Sequence, residues 1–436
     1  MKLLTATKAL IMDGDQYVRN MACEALGKLC CSSGNAFTTD EINALIDTIV
    51  ANRDPSARAG CAMALGAIHT QVGGMAAGLH LKKIHGILLS LCSDPNPTVH
   101  FYAIGALSKV SESAGLAFSG YVASTLGLLA QLWTCDSHND ESEVVITSNT
   151  ELELPTVAVI AHCVDSLLNV LGPDLQDMNK ARSLMLKLIK DFEVDGLDVV
   201  RAETLRCSEH VNLYDPKHMD FPKYVSQLQD GLDSLNEQVR EIAIDGLYTL
   251  MRRDAEHVLG IAGEGLENQI WHLLNEDPEQ EGLRNILLAW LRQSSLTEAE
   301  SWLIRCQKIL TKTTKKPADI SATQDVKSSA FPDLQDEEVA GFAASETKHE
   351  EAFNAEDAGQ ELLRWQTRLF ALECLSDLIT VIGKDRDLDR DSVAGYTLQQ
   401  KVADVVRMAF LASTASVVEL RVQGLRLINQ ILIVGC

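Results

Sequence analysis

SARAGCAMALGAIH, at residues 56–69, predicts a helix suited to close packing. It places alanines and glycines at helical spacing around Leu65 and Ile68, and it contains one arginine, Arg58. Small residues let two helices approach each other, because the interaxial distance depends on the side chains at the contact. The stretch holds no group of residues typical of catalysis. Its meaning for the architecture therefore depends on whether the pattern recurs.

The pattern does recur, as an apolar residue followed by arginine, two small residues and leucine. The repeat arginine position is occupied in turn by Arg19, Arg58, His100, Ile160, Arg201, Arg240, Arg284, Arg368 and Arg421. Successive steps are 39, 42, 60, 41, 39, 44, 84 and 53 residues. Five of these steps match the period of HEAT or armadillo repeats. The sequence predicts an all-α fold, a HEAT/armadillo-like α-solenoid of stacked helical hairpins with acidic loop insertions.

The small residues and leucines of the pattern are predicted to pack the repeats together. Two helices cannot bury their apolar faces alone, whereas stacked neighbours can. Asp and Asp-Pro turns precede the best copies, and these residues favour the start of a helix. The predicted packing residues are Ala22, Leu26, Ala64, Leu65, Ala106, Leu107, Ala243 and Leu247.

Two segments hold most of the excess negative charge. Residues 135–155 carry six acids and no Lys or Arg, and residues 317–360 carry eleven acids and two lysines. They account for 15 of the 23 net negative charges. We therefore expect HEAT repeats at 1–134, an acidic loop at 135–155, HEAT repeats at 156–311, a disordered acidic linker at 312–360, and HEAT repeats at 361–436 that continue toward a truncated end.

Composition also excludes several classes of function. An acidic chain lacks the basic footprint that nucleic acid requires, and the same charge disfavours adsorption to anionic lipid. We find no apolar run of about 18 residues, so no direct membrane insertion is expected. The eleven cysteines contain no CxxC, which favours reduced, buried thiols over a disulfide or zinc framework. We expect no catalytic, cofactor-binding or metal-binding residues, and the partners should be proteins.

One short motif in the linker could bind a partner. Phe331 and Leu334 lie beside several acids in SSAFPDLQDEE. An apolar residue in a disordered acidic segment can act as a docking peptide. The alternative is a chance apolar residue in a linker, and the sequence leaves both interpretations open.

Residues 57–81, ARAGCAMALGAIHTQVGGMAAGLHL, resemble the HEAT repeat-containing protein five family. This family includes the fungal large accessory protein of clathrin adaptor complex one. The most specific part is the run Arg58 to Cys61, followed by Val72 to Met75. Residues 94–122, DPNPTVHFYAIGALSKVSESAGLAFSGYV, continue the resemblance. Family members are much longer, so the chain resembles an internal portion.

The resemblance implies a non-enzymatic scaffold that assists clathrin-adaptor-dependent traffic between the trans-Golgi network and endosomes. Its partners would be clathrin adaptor complex one and accessory subunits, and it would be cytoplasmic and recruited peripherally to these membranes. A karyopherin-like transport receptor is an alternative, since it would also be an acidic HEAT solenoid. A phosphatase-type regulatory scaffold is a further alternative.

Overall fold

The computed structural model describes residues 2–134, 145–147, 150–152, 156–311, 363–388 and 393–434. These residues are almost entirely helical, which confirms the predicted all-α class. The chain forms two compact units, Met1–Leu247 and Tyr248–Cys436.

The first unit consists of helical hairpins. Its helices are α1 (Lys2–Leu10), α2 (Gln16–Ser33), α3 (Asn35–Ala51), α4 (Pro55–Val72), α5 (Gly74–Ala77), α6 (Leu81–Leu91), α7 (Pro97–Ala114), α8 (Val122–Thr134), α9 (Thr156–Leu171), α10 (Asn179–Phe192), α11 (Asp198–Tyr214) and α12 (Phe221–Leu232). Short 3-10 helices occupy Gly78–His80, Gly115–Tyr121, Gly172–Gln176 and Pro216–His218. Helix α13 (Glu237–Ala262) begins in this unit and is interrupted at Asp254.

The second unit is also helical. Its remaining helices are α14 (Glu264–Glu276), α15 (Glu281–Ser294), α16 (Ala299–Thr311), α17 (Trp365–Leu388), α18 (Val393–Gln400), α19 (Val402–Ser413) and α20 (Val418–Val434). Helices α19 and α20 pack on each other as a hairpin, and α20 also packs on α17.

Local sequence explains where the second helices of the hairpins begin. The Asp15 side chain accepts a hydrogen bond from the Val18 amide at the start of α2, and Asp54 caps α4 in the same way. At α7 the cap is Asn96, followed by a proline in the first turn. Side-chain oxygens at this position satisfy amides that have no partner within the helix. The second helices therefore start at the turns where the sequence predicted them.

The repeat arginine has a structural role that the sequence did not reveal. Arg19 donates to the carbonyl oxygens of Asp13 and Gly14, at 2.8 and 2.9 Å. Arg240 and Arg421 donate in the same way to the carbonyls six and five residues before them. Each arginine thus fastens the turn that joins the two helices of its own hairpin.

The second helices stack side by side and form the centre of the first unit. Helix α2 packs on α4, α4 on α7, α7 on α9, and α9 on α11. Their contact surfaces are made of small residues. A β-carbon at Gly66 would lie 3.1 Å from Ala106 Cα, so the α4 and α7 backbones approach closely there. Close approach of this kind is what the alanines and glycines of the repeat permit.

The acidic segment at 135–155 contains one departure from the expected loop. Strands β1 (Val145–Thr147) and β2 (Thr150–Leu152) form an antiparallel pair with Val145 opposite Leu152. β-Branched residues favour strands, and this short pair is rich in them. The pair is the only sheet within the described part of the chain. The predicted linker at 312–360 lies wholly outside the described residues, and its boundaries stay a prediction.

Candidate functional site: a polar cluster on stacked helices

A polar cluster crosses three stacked helices of the first unit. It consists of Glu112 on α7, His162 and Ser166 on α9, and Glu203 and Arg206 on α11. The small residues between these helices bring the five side chains together. The cluster is therefore a product of the same packing that defines the fold.

Two carboxylates hold His162. Its Nδ1 lies 3.0 Å from Glu203 Oε2, and its Nε2 lies 3.6 Å from Glu112 Oε1. Arg206 Nη1 donates to Glu203 Oε1 at 2.7 Å, and Ser166 Oγ donates to Glu112 Oε1 at 2.8 Å. A ring with a carboxylate at each nitrogen suits the protonated form of histidine, in which both nitrogens are donors.

A second histidine extends the cluster along the contact between α9 and α11. His210 Nδ1 on α11 lies 2.7 Å from Asp165 Oδ1 on α9. The His210 ring stacks on Tyr214 with ring centroids 5.9 Å apart, and Tyr214 donates from its hydroxyl to Asn169 Oδ1 at 2.7 Å. Polar side chains thus join α9 and α11 at several levels.

The carboxylates raise the pKa of both histidines. For His162 the largest cause is the hydrogen bond to Glu203, which outweighs the effect of burial. For His210 burial lowers the pKa most, but the hydrogen bond and charge of Asp165, with the charge of Glu209, together raise it above its usual value. Both rings are therefore biased toward the charged form in the folded state.

The cluster contains serine, histidine and carboxylates, yet its geometry does not suit nucleophilic catalysis. Ser166 is 2% exposed, and its hydroxyl contacts Glu112, Ser108 and the His162 backbone carbonyl rather than the His162 ring. An activated serine must hydrogen-bond to its base. Glu112, His162 and Arg206 are 45%, 40% and 34% exposed. They can bind polar groups of a partner.

No group of three or more metal-ligating side chains is found in the described residues. Most of the cysteines in the described residues are buried, and burial raises the pKa of Cys23 to about 12 and that of Cys61 to about 11. Thiols with raised pKa values are poor nucleophiles and poor metal ligands at neutral pH.

The predicted packing residues are all buried. At most 6% of the surface of any of them is exposed: Ala22, Leu26, Ala64, Leu65, Ala106, Leu107, Ala243 and Leu247. The possible docking residues Phe331 and Leu334 lie outside the described residues, so the docking motif stays a prediction.

Sequence reasoning missed the polar cluster. A periodic signal was present, because His162 and Glu203 are 41 residues apart and Asp165 and His210 are 45 residues apart. Opposite charges separated by one repeat period meet when the repeats stack. Such pairs can be recognised in the sequence only after the repeats have been aligned with one another.

Two helical stretches are long and apolar enough, by length and composition, to cross a membrane: Pro97–Thr134 and Thr156–Gln176. This corrects the expectation that no such run exists. The first stretch is broken at Gly115, which has a φ of 53°. Both contribute core residues such as Leu107 and Leu167, with 28% of the apolar window buried in the first stretch and 67% in the second.

Comparisons with known proteins support the repeat architecture. No family model matches the chain. Over 433 residues the chain is 24% identical to Protein SWEETIE of Arabidopsis thaliana, an alignment that covers 95% of this chain and 18% of that protein. The chain thus spans less than a fifth of the length of this curated relative.

Among solved structures, Kap121p is similar over 99% of this chain and 45% of its own, with a TM-score of 0.50 and 12% identity. Kap121p bound to RanGTP gives a TM-score of 0.52 and 14% identity, over 99% of this chain and 41% of its own. These similarities show that the chain has a HEAT/armadillo-like α-solenoid fold, as the repeat period predicted. They do not show that the chain belongs to the HEAT repeat-containing protein five family.

Proposed function

We propose that this chain is part of a non-enzymatic HEAT-repeat scaffold that assists clathrin-adaptor-dependent traffic between the trans-Golgi network and endosomes. The resemblance of residues 57–81 and 94–122 to the HEAT repeat-containing protein five family supports the pathway. The repeat fold supports the role as a scaffold, because stacked repeats offer extended surfaces for protein partners.

The observation that carries the scaffold role is the polar cluster on α7, α9 and α11. It presents partly exposed charged groups on a rigid stack of helices, and its one buried hydroxyl group at Ser166 is held by other side chains. Rigid elements hold polar groups in the fixed geometry that specific recognition needs. Clathrin adaptor complex one and its accessory subunits are the proposed partners.

A karyopherin-like transport receptor is the second candidate, favoured by the similarity to Kap121p bound to RanGTP. The two candidates differ in the partner that the chain should recover from cytosol. They also differ in location, because the first places the chain in the cytoplasm with peripheral recruitment to the trans-Golgi network and endosomes.

A quantitative pull-down tests the proposal. The tagged chain should recover adaptor complex one subunits, and a Glu112→Ala, Arg206→Ala variant should recover fewer of them. A matched variant, Lys217→Ala with Glu237→Ala, changes two exposed charges elsewhere in the first unit and should behave as the unchanged chain does. Recovery of RanGTP without adaptor subunits would favour the second candidate. Recovery of neither would contradict both.

Membrane recruitment provides an independent test. We expect the chain to leave trans-Golgi and endosomal membranes when adaptor complex one is acutely removed. The net charge of −23 should also prevent unaided binding to protein-free vesicles that contain anionic lipid. Binding to such vesicles, or localisation that persists without the adaptor, would argue against recruitment through protein partners.

A further inference from the structure

The predicted linker interrupts one hairpin and does not separate two. Helix α16 ends at Thr311 and α17 begins at Trp365, and the two helices pack on each other. Helix α17 carries the repeat arginine position, at Arg368, so it is the second helix of this hairpin. The segment at 312–360 therefore occupies the place of a turn between the two helices of a hairpin. In the hairpin of α3 and α4 that turn is only residues 52–54.

Arg368 fastens this hairpin across the whole segment. In three other hairpins the repeat arginine donates to carbonyl oxygens five and six residues earlier, within the turn: Arg19, Arg240 and Arg421. Arg368 Nη2 donates instead to the carbonyl oxygen of Leu310, at 2.9 Å, which lies 58 residues earlier. Leu310 belongs to the last turn of α16, where carbonyl groups have no partner within the helix. The arginine thus joins the end of α16 directly to α17.

A second contact holds the start of α17 from a helix that precedes the segment. Asn275 lies at the end of α14 and is 5% exposed. Its Oδ1 accepts hydrogen bonds from the Arg364 amide at 2.7 Å and from Thr367 Oγ1 at 3.3 Å. Amides at the start of a helix have no partner within it, and α7 meets this need with the adjacent Asn96. At α17 the oxygen comes from a residue 89 positions earlier in the chain.

Apolar packing joins the same two parts of the second unit. Helix α17 packs on α14, α15 and α16, and α18 and α19 also pack on α16. Phe370 on α17 is 1% exposed, and its ring centroid lies 5.9 Å from that of Trp271 on α14. The guanidinium carbon of Arg284 on α15 lies 5.2 Å from the same centroid. All of these contacts run between described helices, so none of them requires a continuous chain through residues 312–360.

We propose that the chain can be cut within residues 317–360 and still remain a single folded assembly. The pieces on either side of the cut stay bound through Arg368, Asn275 and the packing of α17, so the second unit keeps its fold. This gives the protein a segment that a protease can open without dismantling the repeats. The uncut segment acts as a tether, which raises the effective concentration of one piece for the other. The inference concerns the second unit alone and does not depend on the identity of any partner.

A specific cut in the whole chain tests this inference. A recognition sequence for a site-specific protease is inserted between Gln335 and Asp336, and cleavage is verified in a denaturing gel. In native buffer at about 10 μM the cut chain should sediment as one species with the mass of the uncut chain, as expected for a dissociation constant below micromolar. Its thermal midpoint should rise with protein concentration, because the two pieces associate by mass action, whereas that of the uncut chain should not change. Pieces that sediment separately would overturn the inference.

Variants of the cut chain test the two polar contacts. Arg368→Ala and Asn275→Ala should each raise the dissociation constant of the pieces about tenfold, because buried hydrogen-bonding groups lose their partners. Arg421→Ala is the matched control, since it removes the same kind of turn contact but Arg421 and its carbonyl partners all lie after the cut. It should leave the dissociation constant within about twofold of the original value. Each uncut variant should keep the circular dichroism spectrum of the unchanged chain, which separates lost folding from lost association. Equal dissociation constants for Arg368→Ala and Arg421→Ala would show that Arg368 does not hold the pieces together.

Discussion

At Gly60 a β-carbon would lie 2.0 Å from the carbonyl oxygen of Ile11. At Gly74 it would lie 2.3 Å from the carbonyl of Ser113. The backbone of a neighbouring hairpin thus occupies the space of a side chain at both residues. The missing side chain at each glycine leaves room for the neighbouring backbone. A single residue therefore determines how closely two hairpins can approach.

Replacing Gly60 tests this steric requirement. Gly60→Ala should lower the free energy of unfolding by about 1–3 kcal/mol, because backbone atoms must move to admit the methyl group. Gly86→Ala is the matched control in α6, where a β-carbon would meet no atom within 4 Å. It should be neutral or stabilising by up to about 1 kcal/mol. Equal urea midpoints for the two variants would contradict the close approach.

Ala64 offers a second test at this scale. It is fully buried, whereas the equivalent residue of the first repeat, Ala25, is exposed. Ala64→Leu should overpack the contact and cost about 1–3 kcal/mol. Ala25→Leu should change the stability by less than about 0.5 kcal/mol in dilute solution. A stable Ala64→Leu variant in urea denaturation would show that our packing register is wrong.

Elements in this protein are joined by polar side chains as well as by apolar packing. Helix α9 contributes His162 and Asp165, whose partners are Glu203 and His210 on α11. Both pairs cross between consecutive hairpins. The strength of the contact between these hairpins should therefore depend on whether the two histidines are protonated.

This dependence predicts how stability changes with pH. The folded pKa values of His162 and His210 are raised above the usual value of about 6.5. Their contribution is therefore complete below that value and is lost as the pH rises through the folded pKa values. The stability difference between the unchanged chain and a His162→Gln, His210→Gln variant should shrink with increasing pH.

Urea denaturation between about pH 5 and about pH 9 measures this difference. His69 is buried, and burial lowers its pKa to about 4. Protonation of His69 favours the unfolded chain, so its effect on stability has the opposite pH dependence. It is present in both proteins, and its effect cancels in the comparison. A difference that is constant over the range would show that the histidine–carboxylate pairs do not favour the charged rings.

At the scale of the whole molecule, the distribution of charge along the chain predicts where the repeats are interrupted. The acidic residues concentrate in two segments, and the repeats themselves are only mildly acidic. The segment at 312–360 has the composition of a chain that cannot bury enough apolar surface to fold. It separates the described helices α16 and α17 in the sequence.

Limited proteolysis tests the predicted linker. Cleavage should occur first within residues 317–360 and should leave two protected fragments, because exposed polar segments are the preferred sites of nicking. Deleting residues 317–360 should leave the thermal midpoint of the rest unchanged. Early cleavage within α4 or α7, with the linker protected, would contradict this prediction.

The repeat class and the starts of the second helices α2, α4 and α7 were predictable, because the period and the turn residues can both be read along the chain. The caps Asp15 and Asp54 and the small residues around Ala64 act on near neighbours, and the period of about 40 residues repeats these local signals along the chain. Burial of Ala64 and Leu65 follows from the same pattern. The short strand pair at Val145–Leu152 was not predicted, since six strand residues within an acidic segment give a weak signal.

The periodic sequence alone established that the chain is built from helical hairpins, since helix formation and capping depend on residues only a few positions apart. The tertiary structure decided which residues meet across the hairpins, including the pairing of His162 with Glu203 and that of Asp165 with His210. Those contacts depend on the offset between stacked helices. That offset results from packing summed over whole helix surfaces, so it cannot be read from any single repeat.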